Sequence, residues 1–134
     1  MQATATVLVY SDDSNTREQV RSASGRRPSP DAPLVEFLEC ATPAAVLTEL
    51  DKGGIDVCVF DGESAPMGGM GLCRQVKDEV FQCPPVLLLI GRPQDAWLAT
   101  WSRADAAVTL PVEPVEFASA LASLLRRKNL QQSA

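Results

Sequence analysis

Chemistry in this chain has to come from carboxylates. There is no histidine among its 134 residues, which removes Ser/His and Cys/His nucleophilic catalysis. Cys40, Cys58, Cys73 and Cys83 have no CxxC spacing, so a zinc site is not expected. In a reducing compartment they read as thiols, with Cys58 packed in the core. What remains is Asp12-Asp13, adjacent in a polar turn, and Asp61, which ends the run Ile55-Asp56-Val57-Cys58-Val59-Phe60-Asp61. In open α/β sheets ligands collect at the carboxyl ends of the strands. If the two segments adjoin, three carboxylates share one pocket, where like charges raise a pKa or recruit a cation. A hard, oxygen-rich site of that kind suits Mg²⁺. The competing reading gives Asp12 and Asp13 the plain task of favouring a helix N-terminus.

The elements that must position these residues alternate. Thr4–Tyr10 is β-branched and apolar, a buried strand, and Ser11–Asn15 a turn. A helix is expected from about Thr16 to Ser24, with Ser14 or Asn15 as N-cap and Gly25 as stop. A proline-rich loop leads to a less buried strand, Leu34–Cys40, and Thr42-Pro43 opens a second helix. The run ending at Asp61 is bounded by Gly53-Gly54 and Gly62, and reads as a strand buried on both faces. A helix over about Met70–Glu79, a buried strand at Val86–Ile90, a short helix at Pro93–Ser102 and a short strand at Ala107–Leu110 follow. Pro114 begins the last helix, with Arg126-Arg127-Lys128 near its carboxyl end and a frayed tail over 129–134. Five strands alternating with five helices predict one domain over residues 1–128. It would be a doubly wound (βα)5 parallel sheet in the order 2-1-3-4-5 with right-handed crossovers. In that order the first and third strands are neighbours, which brings Asp12 and Asp13 towards Asp61.

Composition narrows the function. An apolar fraction of 46% with 22% charge is that of a globular domain. A net charge of −5 argues against a direct nucleic-acid binder. No apolar stretch is long enough for a membrane span, and no basic, apolar leader opens the chain, so a cytoplasmic protein is expected. Ser11, Ser14 and Thr16 could cradle a flavin phosphate, but Asp12 and Asp13 would repel it.

Five segments in order carry a family resemblance: Val7–Asp13, Asp56–Asp61, Met67–Arg74, Pro85–Leu89, and Ala104-Asp105 through Leu110-Pro111-Val112-Glu113-Pro114. Over about residues 4–127 the chain resembles a response-regulator receiver domain, of the CheY-like, flavodoxin-like fold. The resemblance implies that Asp61 is the phosphoacceptor for a phosphohistidine on a sensor kinase. It also implies that Asp13 ligates Mg²⁺, with Asp12 acting through water and the Glu63 backbone carbonyl completing the protein ligands.

The chain departs from that family where phosphorylation is felt. The lysine expected before Pro111 is Leu110, which supplies neither charge nor donor. The hydroxyl residue expected at the end of the fourth strand is Ile90, and the aromatic switch residue on the fifth strand is Ala107. The proline expected four residues after Asp61 is Ala65, with Pro66 one place later. A charge-assisted hydrogen bond worth about 1.5–3 kcal/mol is thus missing, and the usual transmission route goes with it. These losses together imply an atypical, or pseudo-, receiver that signals by protein contact, not as an enzyme, with any Mg²⁺ bound weakly. The alternative is a functional phosphoacceptor in a phosphorelay using Asp61 and Mg²⁺.

Trp97 and Trp101 stand four apart on the expected fourth helix. Core packing of at least one is the ordinary expectation. In receivers, however, the face made by the fourth helix, fifth strand and fifth helix docks partners and dimers, and tryptophan is enriched at binding hot spots. The partner would be a sensor kinase, another signalling or effector protein, or a second copy. No output domain is expected after the fifth helix, and neither DNA nor a membrane is expected as a direct partner.

Overall fold

The computed structural model describes residues 4–65 and 67–133, with side chains as far as residue 127. Pro66 therefore lies outside the described residues. In chain order the elements are β1 (Thr4–Tyr10), α1 (Ser14–Ser24), β2 (Leu34–Cys40), α2 (Pro43–Lys52), β3 (Val57–Asp61) and α3 (Gly69–Glu79). Then come β4 (Val86–Ile90), a 3₁₀ turn (Pro93–Asp95) running into α4 (Ala96–Trp101), β5 (Ala106–Thr109) and α5 (Pro114–Ser133). The sheet is parallel throughout and ordered β2-β1-β3-β4-β5, the doubly wound arrangement expected from the sequence.

Two apolar layers follow from the period of two along each strand. Val7, Val9, Val57, Val59, Leu87 and Leu89 point to one side, where Val20 of α1 and Phe117, Leu121 and Leu124 of α5 cover them. Leu8, Tyr10, Cys58, Phe60, Leu88 and Ile90 point to the other, under α2 and α3. All five residues of β3 and all five of β4 are buried, as unalternating apolar runs require. Each fully buried large side chain contributes about 1.5–3 kcal/mol.

Carboxylates pin the amino ends of the strands. Asp56 Oδ2 accepts from the Thr6 N–H at 2.8 Å. Asp105 Oδ2 accepts from the Val86 N–H at 2.8 Å and from Lys77 Nζ at 2.6 Å, which ties α3 and β4 to the start of β5.

Several boundaries differ from expectation: β3 starts at Val57 and not Ile55, and β5 lies one residue earlier than Ala107–Leu110. α1 starts at Ser14, because Asp13 is extended (φ −105°, ψ 114°) and its carboxylate caps the helix. The fourth helix is shorter than 93–102: its first turn is 3₁₀, as Pro93 allows, and α4 proper has six residues. α5 runs on to Ser133, so residues expected as a frayed tail continue the helix, whose last turns contain neither Gly nor Pro to stop it.

All four cysteines are thiols. Burial raises the Cys73 thiol from 9.0 to about 11, and burial also raises Cys58. The folded state therefore keeps protons that the unfolded chain gives up first. Stability present below about pH 9 is expected to fall as pH rises through 11, by about 2–3 kcal/mol for Cys73. Urea midpoints measured across that window should drop less in Cys73→Ala than in the parent; equal drops would refute this.

Candidate functional site

Asp61 ends β3 at the carboxyl edge of the sheet and is only 4% exposed. The parallel register sets Tyr10 opposite Phe60, so the residues one step further out, Ser11 and Asp61, lie side by side. Ser11 Oγ donates to Asp61 Oδ2 at 2.8 Å. The Glu63 N–H donates to Asp61 Oδ1 at 2.9 Å. Each carboxylate oxygen thus has a protein donor at normal distance. Ser11 is itself fully buried and firmly held. Its N–H donates to the Cys40 carbonyl at 3.2 Å, its carbonyl accepts from Arg17 Nη1 at 2.6 Å, and its Oγ accepts from the Asp13 N–H at 3.0 Å.

The loop after Asp61 folds back over the same edge. The Gly62 N–H donates to the Leu89 carbonyl at 2.8 Å and the Ser64 N–H to the Asp61 carbonyl at 3.2 Å. From β1, the Asp12 N–H donates to Ser64 Oγ at 3.0 Å, and the Tyr10 hydroxyl to the Met67 carbonyl at 2.6 Å. Burial, then the charge of Asp12, raises the Tyr10 phenol above its ordinary value, partly offset by Ser64. The loop closes on two glycines: a Cβ on Gly68 would stand 2.7 Å from the Gly62 carbonyl oxygen, and one on Gly69 2.8 Å from the backbone of Asp61.

The three aspartates expected to converge do not form one cluster. Asp13 Oδ1 accepts from the Asn15 N–H at 2.9 Å, the helix-capping role, and Asp12 is exposed. Among the described residues, no three Cys, Asp or Glu side chains converge to hold a metal. The physical reason is register: β1 stops at Tyr10, so a serine stands beside Asp61 and the acidic pair begins one residue too late. Among the described residues, Asp12, Asp13 and Asp61 therefore do not supply three carboxylates to one cation. The Glu63 carboxyl, a feature the sequence did not single out, lies directly over Gly91 in the space a Cβ would take. The pKa of nearby Arg92 is raised, first by its hydrogen bond to Asp95 and to a lesser degree by Glu63.

The positions where phosphorylation would be felt are close together. Ile90 is buried with Phe60 and Leu88, and its carbonyl accepts from the Leu110 N–H at 2.7 Å. Leu110 is half-buried against the opposite layer, and Ala107 is exposed beside Leu88. On α4 neither tryptophan is in the core: Trp97 is 65% exposed and Trp101 46%. The ordinary expectation of core packing fails because a six-residue helix with no buried side chain turns too little surface to the sheet. Arg74 of α3 reaches across, its guanidinium 4.6 Å from the Trp101 ring centroid and its Nη1 donating to the Trp101 carbonyl at 2.7 Å.

Comparison with known protein families finds no matching family model. Among curated proteins, the chain is 52% identical over 120 residues to the uncharacterized response regulatory protein Rv3143 of Mycobacterium tuberculosis strain H37Rv, covering 90% of each chain. The same figures hold for the protein of strain CDC 1551. It belongs to the response-regulator family of receiver domains.

Solved receivers share the fold. The CheY-like receiver domain protein of Methanospirillum hungatei JF-1 matches with a TM-score of 0.73 at 17% identity, over 96% of this chain and 99% of that one. The chemotaxis response regulator CheY4 of Vibrio cholerae gives 0.74 at 20% identity, over 92% and 100%. Membership of the family, shown by the 52% identical relatives, makes the chain a receiver domain of two-component signalling. Among the described residues, no helix is long and apolar enough to cross a membrane.

Ser64, the Glu63 side chain, and Ser11 in its place beside Asp61 are what the sequence reading missed. Alternation carried the signal for Ser11. Counting by twos along Val7, Val9, Ser11 and along Val57, Val59, Asp61 places the hydroxyl and the carboxylate on one side of neighbouring strands.

Proposed function

We propose that the receiver is an atypical one: a binding module that signals through protein contact on the face of α4, β5 and α5, with phosphorylation-dependent switching impaired or absent. The observation that carries this reading is the pair of exposed indoles on α4. Two large amphipathic rings on one short helix supply the kind of anchor that dominates interfaces. The state of the input site supports it. Leu110 puts no cation near Asp61, Ile90 offers no hydroxyl, and Ala107 has no ring to move inward. The partner is a protein: a sensor kinase, another signalling or effector protein, or a second copy of the chain, with neither nucleic acid nor membrane contacted directly. The protein works in the cytoplasm.

The second reading is a phosphoacceptor that uses Asp61 with weakly held Mg²⁺. Its favouring observation is that Asp61 stands at the carboxyl edge of a central strand. Incubation with acetyl phosphate and Mg²⁺ followed by intact-mass analysis separates the two. No stoichiometric adduct is expected; one that disappears in Asp61→Asn would sink the first reading. In parallel, pull-downs should keep their partners with Asp61→Asn and lose them with Trp97→Ala/Trp101→Ala.

A further inference from the structure

We propose that Ser11 is a latch that closes the acidic edge to divalent cations and makes Asp61 a locked structural carboxylate. This rests on, and deepens, the reading that phosphorylation-dependent switching is impaired.

The hydroxyl has one proton to give, and gives it to Asp61 Oδ2 at 2.8 Å. Ser11 Oγ in turn accepts the Asp13 N–H at 3.0 Å. With Asp61 Oδ1 held by the Glu63 N–H, each carboxylate oxygen already gives one lone pair to a protein donor, so a cation has to compete with a hydrogen bond on either oxygen. For Ser11 to ligate a cation, it would have to turn its proton away from Asp61. Its partner Asp13 is held in its extended conformation, with the carboxylate capping α1. Opening the latch therefore disturbs the start of α1 as well as the carboxylate. Arg17 adds to the resistance, since its guanidinium holds the Ser11 carbonyl while pairing with Glu39 at 2.9 Å.

The same geometry says how to open the site. A carboxylate in place of the hydroxyl would put two like charges within contact distance in a buried setting. That arrangement is relieved by a cation and favours a hard, oxygen-liking one. One side chain, in this account, decides between a self-satisfied acid and a metal site.

The test is Mn²⁺ binding by the full chain, followed by water-proton relaxation. The wild type is expected to show no saturable binding at millimolar Mn²⁺. Ser11→Asp should bind saturably, at least about tenfold more tightly, and Ser11→Asp/Asp61→Asn should lose that binding. Saturable binding by the wild type equal to that of Ser11→Asp overturns the proposal. So does a folded Ser11→Asp that gains nothing. Should the aspartate variant not fold, Ser11→Ala decides: it removes the donor without adding charge and is expected to melt several degrees below the wild type. An unchanged melting temperature overturns the latch. The contact reading fails separately, since undiminished partner capture by Trp97→Ala/Trp101→Ala would refute it and leave Mn²⁺ binding as it was.

Discussion

Alanine at Gly69 is expected to lower the unfolding free energy by about 2–3 kcal/mol. Alanine at Gly71, on the same helix, is expected to raise it by about 0.5–1 kcal/mol. The substitution is identical and both residues belong to α3, so helix propensity favours both equally. What differs is the space. A Cβ on Gly69 would stand 2.8 Å from the carbonyl carbon and oxygen of Asp61 and 2.9 Å from Phe60 Cβ, whereas one on Gly71 would meet nothing within 4 Å. The obstruction at Gly69 is backbone and the root of a fully buried ring, neither of which can swing aside. Relief would have to come from lifting the start of α3 off the end of β3. Urea denaturation of the two variants beside the parent reads the difference. A Gly69→Ala midpoint at or above that of the parent would refute the close approach.

A second large loss is expected at a residue far from the carboxyl edge. Asp105→Ala should cost about 2–4 kcal/mol. Its Oδ2 holds both the Lys77 ammonium at 2.6 Å and the Val86 N–H at 2.8 Å. The ion pair is mostly shielded, with 17% and 20% of the two side chains exposed, so it is worth more than a surface pair but still less than a dry one. The amide matters more. Val86 is fully buried at the first residue of β4, and its N–H would be left without an acceptor. Asparagine at 105 can still accept from that amide while giving up the charge, so about half of the loss should return. Thermal melts of the Ala and Asn variants measure both. An Ala variant as stable as the parent would mean that water replaces both partners.

The sheet was legible because its strands announce themselves. Val86–Ile90 is apolar at every position, and so is Val57–Phe60 just before Asp61, which only a strand covered on both sides can use. The order of strands followed from their alternation with helices. The site was harder to read, because chemistry depends on single-residue register and a turn hides it. Asp12 and Asp13 stand out by type, yet β1 ends at Tyr10, and the strand pairing hands the place beside Asp61 to Ser11. The Asp13 carboxylate could serve a cation or a helix start, and only the extended backbone at Asp13 decides for the helix. Trp97 and Trp101 were ambiguous for a different reason. Aromatic spacing of four fits a buried face equally well, and exposure is decided by how little of α4 touches the sheet. The residue types at Ile90, Ala107 and Leu110 are plain in the sequence, since a missing charge or hydroxyl needs no coordinates to notice.

The thinness of α4 has a consequence for motion. Protein segments open locally at a free-energy cost set by what they bury, and the global unfolding cost is only the upper bound. α4 buries no side chain within its six residues. Its ties to the rest are few: Arg74 on the Trp101 carbonyl, Ala99 packed against one layer, and, just beyond its end, Ser102, whose carbonyl accepts from the Cys73 thiol at 3.3 Å. Its backbone amides should therefore exchange with solvent through small, frequent openings, far below the energy needed to disturb β3 or β4. The segment that carries the indoles is thus also inexpensive to reshape. A partner could reset the pitch or register of this helix for a small penalty while the sheet, and Asp61 with it, stays still.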